Sequence, residues 1–226
     1  MRVIFNEEMK AVADDLDRMA QGVRKAIQGA GEALLKSDVE AAQSVIDGDI
    51  ELDALEASVI DQCVKLLAKQ NPVATDLRVV VSTMRLATTL ERMGDLAKHV
   101  AETSRRAYPG SPLPDEAKEI FASMQDFLDE TADRLVSMLA DREAKTAELV
   151  IADDDKLDAL HAKTFELALD ESVDLSRQQI IDIVLLGRFL ERLGDHAVSA
   201  ARRVVFIVSG FDPSKAPSRD EEGAID

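Results

Sequence analysis

The heptapeptide Glu91-Arg92-Met93-Gly94-Asp95-Leu96-Ala97 returns almost letter for letter as Glu191-Arg192-Leu193-Gly194-Asp195-His196-Ala197. The offset is 100 residues, from 91 to 191, in a chain of 226. A chain of that length makes one large domain or two small ones. A motif repeated at nearly half the chain length selects two copies of one folding unit. Each copy also sets two acids four positions apart, on one face of an otherwise apolar helix.

Around the motifs the apolar residues recur at helical spacing, and no strand alternation competes. Phe5, Met9, Val12, Leu16, Met19, Val23, Ile27, Ala30 and Leu34 advance in steps of three or four and predict a first helix over 3–36. Gly29 and Gly31 either weaken its end or admit a close neighbour. Ser37-Asp38-Val39-Glu40 reads as a capping box that opens a second helix, and Asn71-Pro72 stops it after Gln70. A third helix begins between Pro72 and Asp76 and runs to Ala107.

Tyr108-Pro109-Gly110-Ser111-Pro112-Leu113-Pro114 is the sharpest break. Helices over 115–140 and 143–170 follow. The last opens at a second capping box, Ser176-Arg177-Gln178-Gln179, and runs to Ser209, where Gly210 ends it. The predicted fold is all-α: six long antiparallel helices in two pseudo-symmetric three-helix bundles, over 1–108 and 115–209, joined by a linker at 109–114. Residues 210–226 are rich in Pro, Ser, Asp and Glu and read as a disordered tail.

The net charge of −17 argues against a nucleic-acid binder, which needs a basic surface to neutralise phosphates. Arg105-Arg106 and Arg202-Arg203 are the basic clusters, and their places near helix ends suit the helix dipole. The acid excess suits cations, basic partners or solubility. Cys63 sits among apolar residues and is expected to be a buried, inert thiol. Met1 to Glu8 is polar, no apolar leader pattern follows, and no run reaches the ~20 apolar residues of a membrane span. A cytoplasmic protein is expected.

Glu91 and Asp95 continue the face of Leu77, Val81, Met84 and Thr88; Glu191 and Asp195 continue that of Ile181, Val184 and Arg188. The preceding helix of each half adds a stripe: Asp49, Asp53 and Glu56 in the first, Asp154, Asp158 and His161 in the second. Two helices in each half therefore aim five side chains at one region. Crowded carboxylates repel one another and their pKa values rise, and a multivalent cation relieves this because carboxylate oxygens are its natural ligands. Metal binding is the functional reading; an ordinary solvated acidic face, with Arg92 pairing Asp95, is the competing one. His99 and His196 are weaker candidates, and His196 points about 100° away from the acids at helical spacing.

These residues resemble the PhoU family of phosphate-transport regulators. The resemblance rests on Ala68-Lys69-Gln70-Asn71-Pro72-Val73-Ala74-Thr75-Asp76-Leu77-Arg78, on the segment from Gly48-Asp49 to Glu56, and on the two Glu-Arg-x-Gly-Asp motifs, and spans roughly residues 3–209. It implies two three-helix bundles with metal, iron or zinc, at Glu91, Asp95, Glu191, Asp195 and the acids of the preceding helices. It implies a negative regulator of phosphate uptake and of the phosphate-starvation response. Such a protein links the ATPase subunit of the phosphate ABC transporter to a sensor histidine kinase, and so meets the membrane only through partners. A homodimer is expected.

The second half departs from the pattern. Asp174-Leu175-Ser176-Arg177 replaces the Asn-Pro segment on a loop expected to be shorter, and His161 replaces Glu56. Two unequal sites are expected. No nucleophile–base pair, Gly-rich phosphate loop or cofactor motif occurs, so a non-enzymatic adaptor is the main reading, and phosphate is not expected on so acidic a surface except through metal. A di-metal carboxylate protein of the ferritin-like kind is the alternative, although it needs Glu-x-x-His pairs and only Asp158-x-x-His161 approximates one. A purely structural scaffold is the third reading.

Overall fold

Helix α1 spans Arg2–Lys36, α2 Val39–Gln70 and α3 Ala74–Ala107; a 3₁₀ turn over Asp115–Ala117 leads into α4, Lys118–Asp141. Then come α5, Ala144–Ala152, α6, Asp154–Leu169, and α7, Arg177–Ser209. This computed structural model describes residues 2–141 and 143–210, and no strand occurs among them. The expected tail lies, beyond Gly210, outside the described residues.

The predicted apolar stripe of α1 is its buried face, with Val12, Met19, Val23, Ile27 and Leu34 at 2% exposure or less. Helix α1 packs on α2 and α3, and α4 packs on α5, α6 and α7. The halves join through α1 against α4 and α3 against α7. The α3/α7 seam is antiparallel: Arg78 donates to the Ile207 carbonyl at 3.2 Å, His99 meets the Phe189 ring at 5.3 Å, and Arg106 pairs with Asp182 at 2.6 Å. A pseudo-twofold relation between the halves follows. Gly31 belongs to the α1/α4 contact: a Cβ there would strike Gln125, whose amide donates to the Ile27 carbonyl at 3.1 Å. Gly29 faces Val45 in the same way. Of the two roles expected for these glycines, close approach is the one observed.

Four local expectations are corrected. The cap of α2 is Asp38, one residue later than the predicted box; its Oδ1 accepts the N–H groups of Glu40 and Ala41 at 2.9 and 3.0 Å. Ser37 adopts φ 55 and reverses the chain after α1, so its hydroxyl cannot serve the next helix. The predicted fifth helix is broken at Asp153, whose carboxylate is held by Arg134 at 2.7 Å and Lys156 at 2.6 Å. No Gly or Pro marks that break; Asp153 there carries a tertiary ion pair to Arg134. The linker is only half a spacer, since Pro112, Leu113 and Pro114 are buried. The loop before α7 runs over 170–176, longer than its counterpart at 71–73.

The capping box of α7 forms as predicted. Ser176 Oγ accepts from the Gln179 N–H at 3.2 Å, and Gln179 Oε1 accepts from the Ser176 N–H at 2.9 Å. At the other end Gly210, at φ 75, donates its N–H to the Phe206 carbonyl at 3.0 Å. Ser176→Ala is expected to cost about 1 kcal/mol, read as a lower urea midpoint at unchanged slope.

Candidate metal centre

Gly94 brings α2 and α3 together. A Cβ at Gly94 would lie 2.5 Å from Leu52 Cδ1 and 3.7 Å from Asp49 Oδ1. The second half repeats the arrangement: a Cβ at Gly194 would meet Leu157 and lie 4.0 Å from Asp154 Oδ1. The α2 stripe maps onto α6 with a shift of 105 positions (49 to 154, 52 to 157), and α3 maps onto α7 with a shift of 100 (94 to 194). The glycine thus serves to set the acids of one helix beside those of the next.

In the first half the five predicted residues form one cluster. Asp49 is buried, Asp53 is exposed, and Glu56, Glu91 and Asp95 are half-buried. Burial, followed by repulsion from Asp95, Glu56 and Asp53, pushes the Glu91 carboxyl up to about 7 from an ordinary 4.5. Burial, with Asp49 and Asp95 next, also raises Asp53. Two groups not foreseen from the sequence enter here. Lys98 Nζ donates to Asp49 Oδ2 at 2.5 Å, and Thr88 Oγ1 donates to Glu56 Oε1 at 2.8 Å. Lys98 stands three residues after Asp95, a spacing that could have marked it.

The second cluster gathers Asp154, Asp158, His161, Glu191 and Asp195. Burial first, then Asp158 and Asp195, raises the Asp154 carboxyl. Burial and Asp195 raise Glu191, against the pull of Arg188. Burial, then Arg188, depresses His161, while Asp158 and Asp195 act the other way. The Nε2 atom of His161 is buried without a hydrogen-bond partner. Arg188 Nη1 lies 2.6 Å from each oxygen of Glu191. Arg202, placed by sequence at a helix end, acts on Asp154.

The two weaker histidine candidates go elsewhere. His99 contacts Phe189 across the seam and Glu102 Oε2 at 3.3 Å. His196 is half-buried at that seam, where Arg192 and Arg92 act on it. Arg106 and Arg105 also do more than face a helix end: Arg106 reaches Asp182, and Arg105 reaches Gln43 Oε1 at 2.9 Å. Cys63 is buried, and burial pushes its thiol up to about 11.

Each cluster has the donor chemistry of a hard or borderline cation site: carboxylates in both, and one imidazole with an unused nitrogen in the second. Among the described residues no three such groups already stand at ligating distance. Lys98 and Arg188 hold two of the carboxylates. No helix of the described residues is long and apolar enough to cross a membrane.

Two three-helix units in pseudo-twofold pairing, each with an acid cluster between its second and third predicted helices, define a tandem-bundle repeat protein. A family model described as the PhoU domain matches residues 16–104 and 121–204. The chain belongs to the PhoU family. It is 34% identical over 215 residues to the Mycobacterium tuberculosis phosphate-specific transport system accessory protein PhoU homolog 1, covering 95% of this chain and 97% of that one. The Synechocystis PhoU homolog is 30% identical over 212 residues, 92% of this chain and 93% of its own. The crystal structure of PhoU from Pseudomonas aeruginosa superposes with a TM-score of 0.84 at 26% identity, over 92% of this chain and all of that one.

Proposed function

We propose that the chain is an accessory protein of a phosphate-specific transport system that restrains phosphate uptake and phosphate-starvation signalling. In this reading it is a cytoplasmic, non-enzymatic adaptor between the transporter's ATPase subunit and a sensor histidine kinase, and its acid clusters bind metal ions. The relatives' names support the transport role. The metal role rests chiefly on Glu91, a carboxyl held near pH 7 within a set of five acids that repel one another. A bound cation supplies the positive charge that such a set lacks. Asp53, Glu56, Glu91 and Asp95 would hold it in the first half, and Asp154, Asp158, His161, Glu191 and Asp195 in the second. Lys98 meanwhile stays hydrogen-bonded to buried Asp49.

The test is elemental analysis of the purified protein beside a Glu91→Ala/Asp95→Ala/Glu191→Ala/Asp195→Ala variant, with both used to pull down the transporter ATPase. The variant is expected to lose its metal. Equal metal content in the two would end the ligand assignment. Loss of metal with intact pull-down would separate the metal from the adaptor role.

A further inference from the structure

The arginines of the two repeated motifs, Arg92 and Arg192, are exposed and belong to the α3/α7 seam. The register of the seam places them. From His99 to Arg106 α3 advances seven residues while α7 goes back seven, from Phe189 to Asp182, and both ends of that step are in contact. One equal step the other way sets Arg92 opposite His196, and a second sets Arg85 opposite Arg203. Arg78, Arg85, Arg92, His99 and Arg106 are thus two helical turns apart along one face of α3, and contacts at Arg78, His99 and Arg106 show that this face is turned to α7. Arg192 stands one turn before His196 on α7. Burial depresses the His196 imidazole, and Arg192 and Arg92 add to it from the two helices, while Asp195 acts the other way.

The ends of this basic face have partners in Ile207 and Asp182, and His99 has Glu102. Between them, no carboxylate pairs with Arg85, Arg92 or Arg192 among the described residues. The chain holds 44 acids against 27 lysines and arginines, so these arginines are not unpaired for want of acids. Like charges meeting near the pseudo-twofold axis repel, and an anion from outside relieves them. Its size is limited: Glu91 and Glu191 directly precede the two arginines, so an acid cluster flanks the seam on each side. A nucleic acid or an anionic membrane would have to cross those clusters, and a compact anion would not. A planar carboxylate is filled by one bidentate guanidinium, whereas a tetrahedral oxyanion accepts from guanidinium groups on both helices. We propose that Arg92 and Arg192, with Arg85 and His196 beside them, form a site on the α3/α7 seam for one inorganic phosphate ion. The acidity that argues against phosphate elsewhere on the surface does not extend to this seam, and the site needs no metal. The choice of phosphate among tetrahedral oxyanions rests on the transport reading above.

Calorimetric titration of the chelator-treated full chain with inorganic phosphate, and in parallel with sulfate, tests this at low ionic strength, where screening is weak. The unaltered protein should take one phosphate and bind sulfate less well. Arg92→Gln/Arg192→Gln should weaken phosphate binding by about tenfold or more, the scale of losing charge-assisted hydrogen bonds. Arg177→Gln, which removes the same charge at the start of α7, should bind as the unaltered protein does. Phosphate should also shift the imidazole resonances of His196. Equal binding by the unaltered protein and the double variant, or no phosphate binding by the unaltered protein when circular dichroism shows it folded, would overturn the site. Sulfate bound as tightly as phosphate would overturn the choice of phosphate and support an oxyanion site. The transport reading stands or falls separately, by the pull-down of the transporter ATPase.

Discussion

Glu91→Gln is expected to raise the melting temperature of the metal-free protein at pH 8 by a few degrees and to leave it nearly unchanged at pH 4.5. In the unfolded chain Glu91 ionises near its ordinary 4.5; in the fold it does so only near 7. Between those values the folded state binds the extra proton, so stability falls as pH rises. Below the lower value both states are protonated and the penalty vanishes. Above the higher value the penalty is complete. A glutamine carries no charge and escapes it. The full shift would correspond to about 3 kcal/mol, and partial solvent screening reduces this to about 1–2 kcal/mol. For a chain of this size each kcal/mol moves the melting temperature by about 2–4 °C.

Glu191→Gln should give no such gain, because it also removes the partner of Arg188. Added divalent cation should stabilise the unaltered protein and have less effect on Glu91→Gln. Differential scanning calorimetry at the two pH values, with and without Zn²⁺, measures all of this. A melting temperature that Glu91→Gln lowers at pH 8 would show that the cluster is not strained by its own charge.

Gly94→Val should produce the larger loss of stability, about 2–3 kcal/mol or more, the scale of overpacking a filled core. The added Cβ would stand 2.5 Å from Leu52 Cδ1, and Leu52 is 4% exposed, so its side chain has little room to retreat. The clash with Leu52 pushes α2 off α3, and Asp49, three residues before Leu52 on α2, moves with it. Weaker cation binding in the first cluster should accompany the fall in stability. Gly48→Ala, on α2 one turn before Leu52, is the matched control. A Cβ there meets nothing within 4 Å, so the helix should gain up to about 1 kcal/mol in propensity. Chemical denaturation of the two variants gives opposite signs if close approach at Gly94 is what places the acids.

Much of the architecture was legible because helices write their buried face at a fixed interval. The α1 stripe from Val12 to Leu34, the stop at Asn71 and the Ser176–Gln179 box all depend on contacts within a few residues along the chain. The break at Asp153 was not legible, since no Gly or Pro marks it, and neither was the pairing of Asp153 with Arg134 from α4. Nor was the burial of Pro112 and Leu113, which turn-forming residues had marked as a spacer.

The acid clusters divide along the same line. Spacing alone put Asp49, Asp53 and Glu56 on one face and Glu91 and Asp95 on another, and the 100-residue repeat announced the second copy. Periodicity within each helix, a one-dimensional property, determined those assignments. Whether two such faces meet, and what else meets them, depends on the distance between helices. Gly94 and Gly194 set that distance through Leu52 and Leu157. Only the packed structure brought Lys98 onto Asp49 and Thr88 onto Glu56, and only there is Glu191 seen held by Arg188 beside an unpartnered His161 nitrogen. Electrostatic energy falls with separation in space and ignores separation in sequence, so the charge balance that makes the two clusters unequal was decided by the tertiary fold.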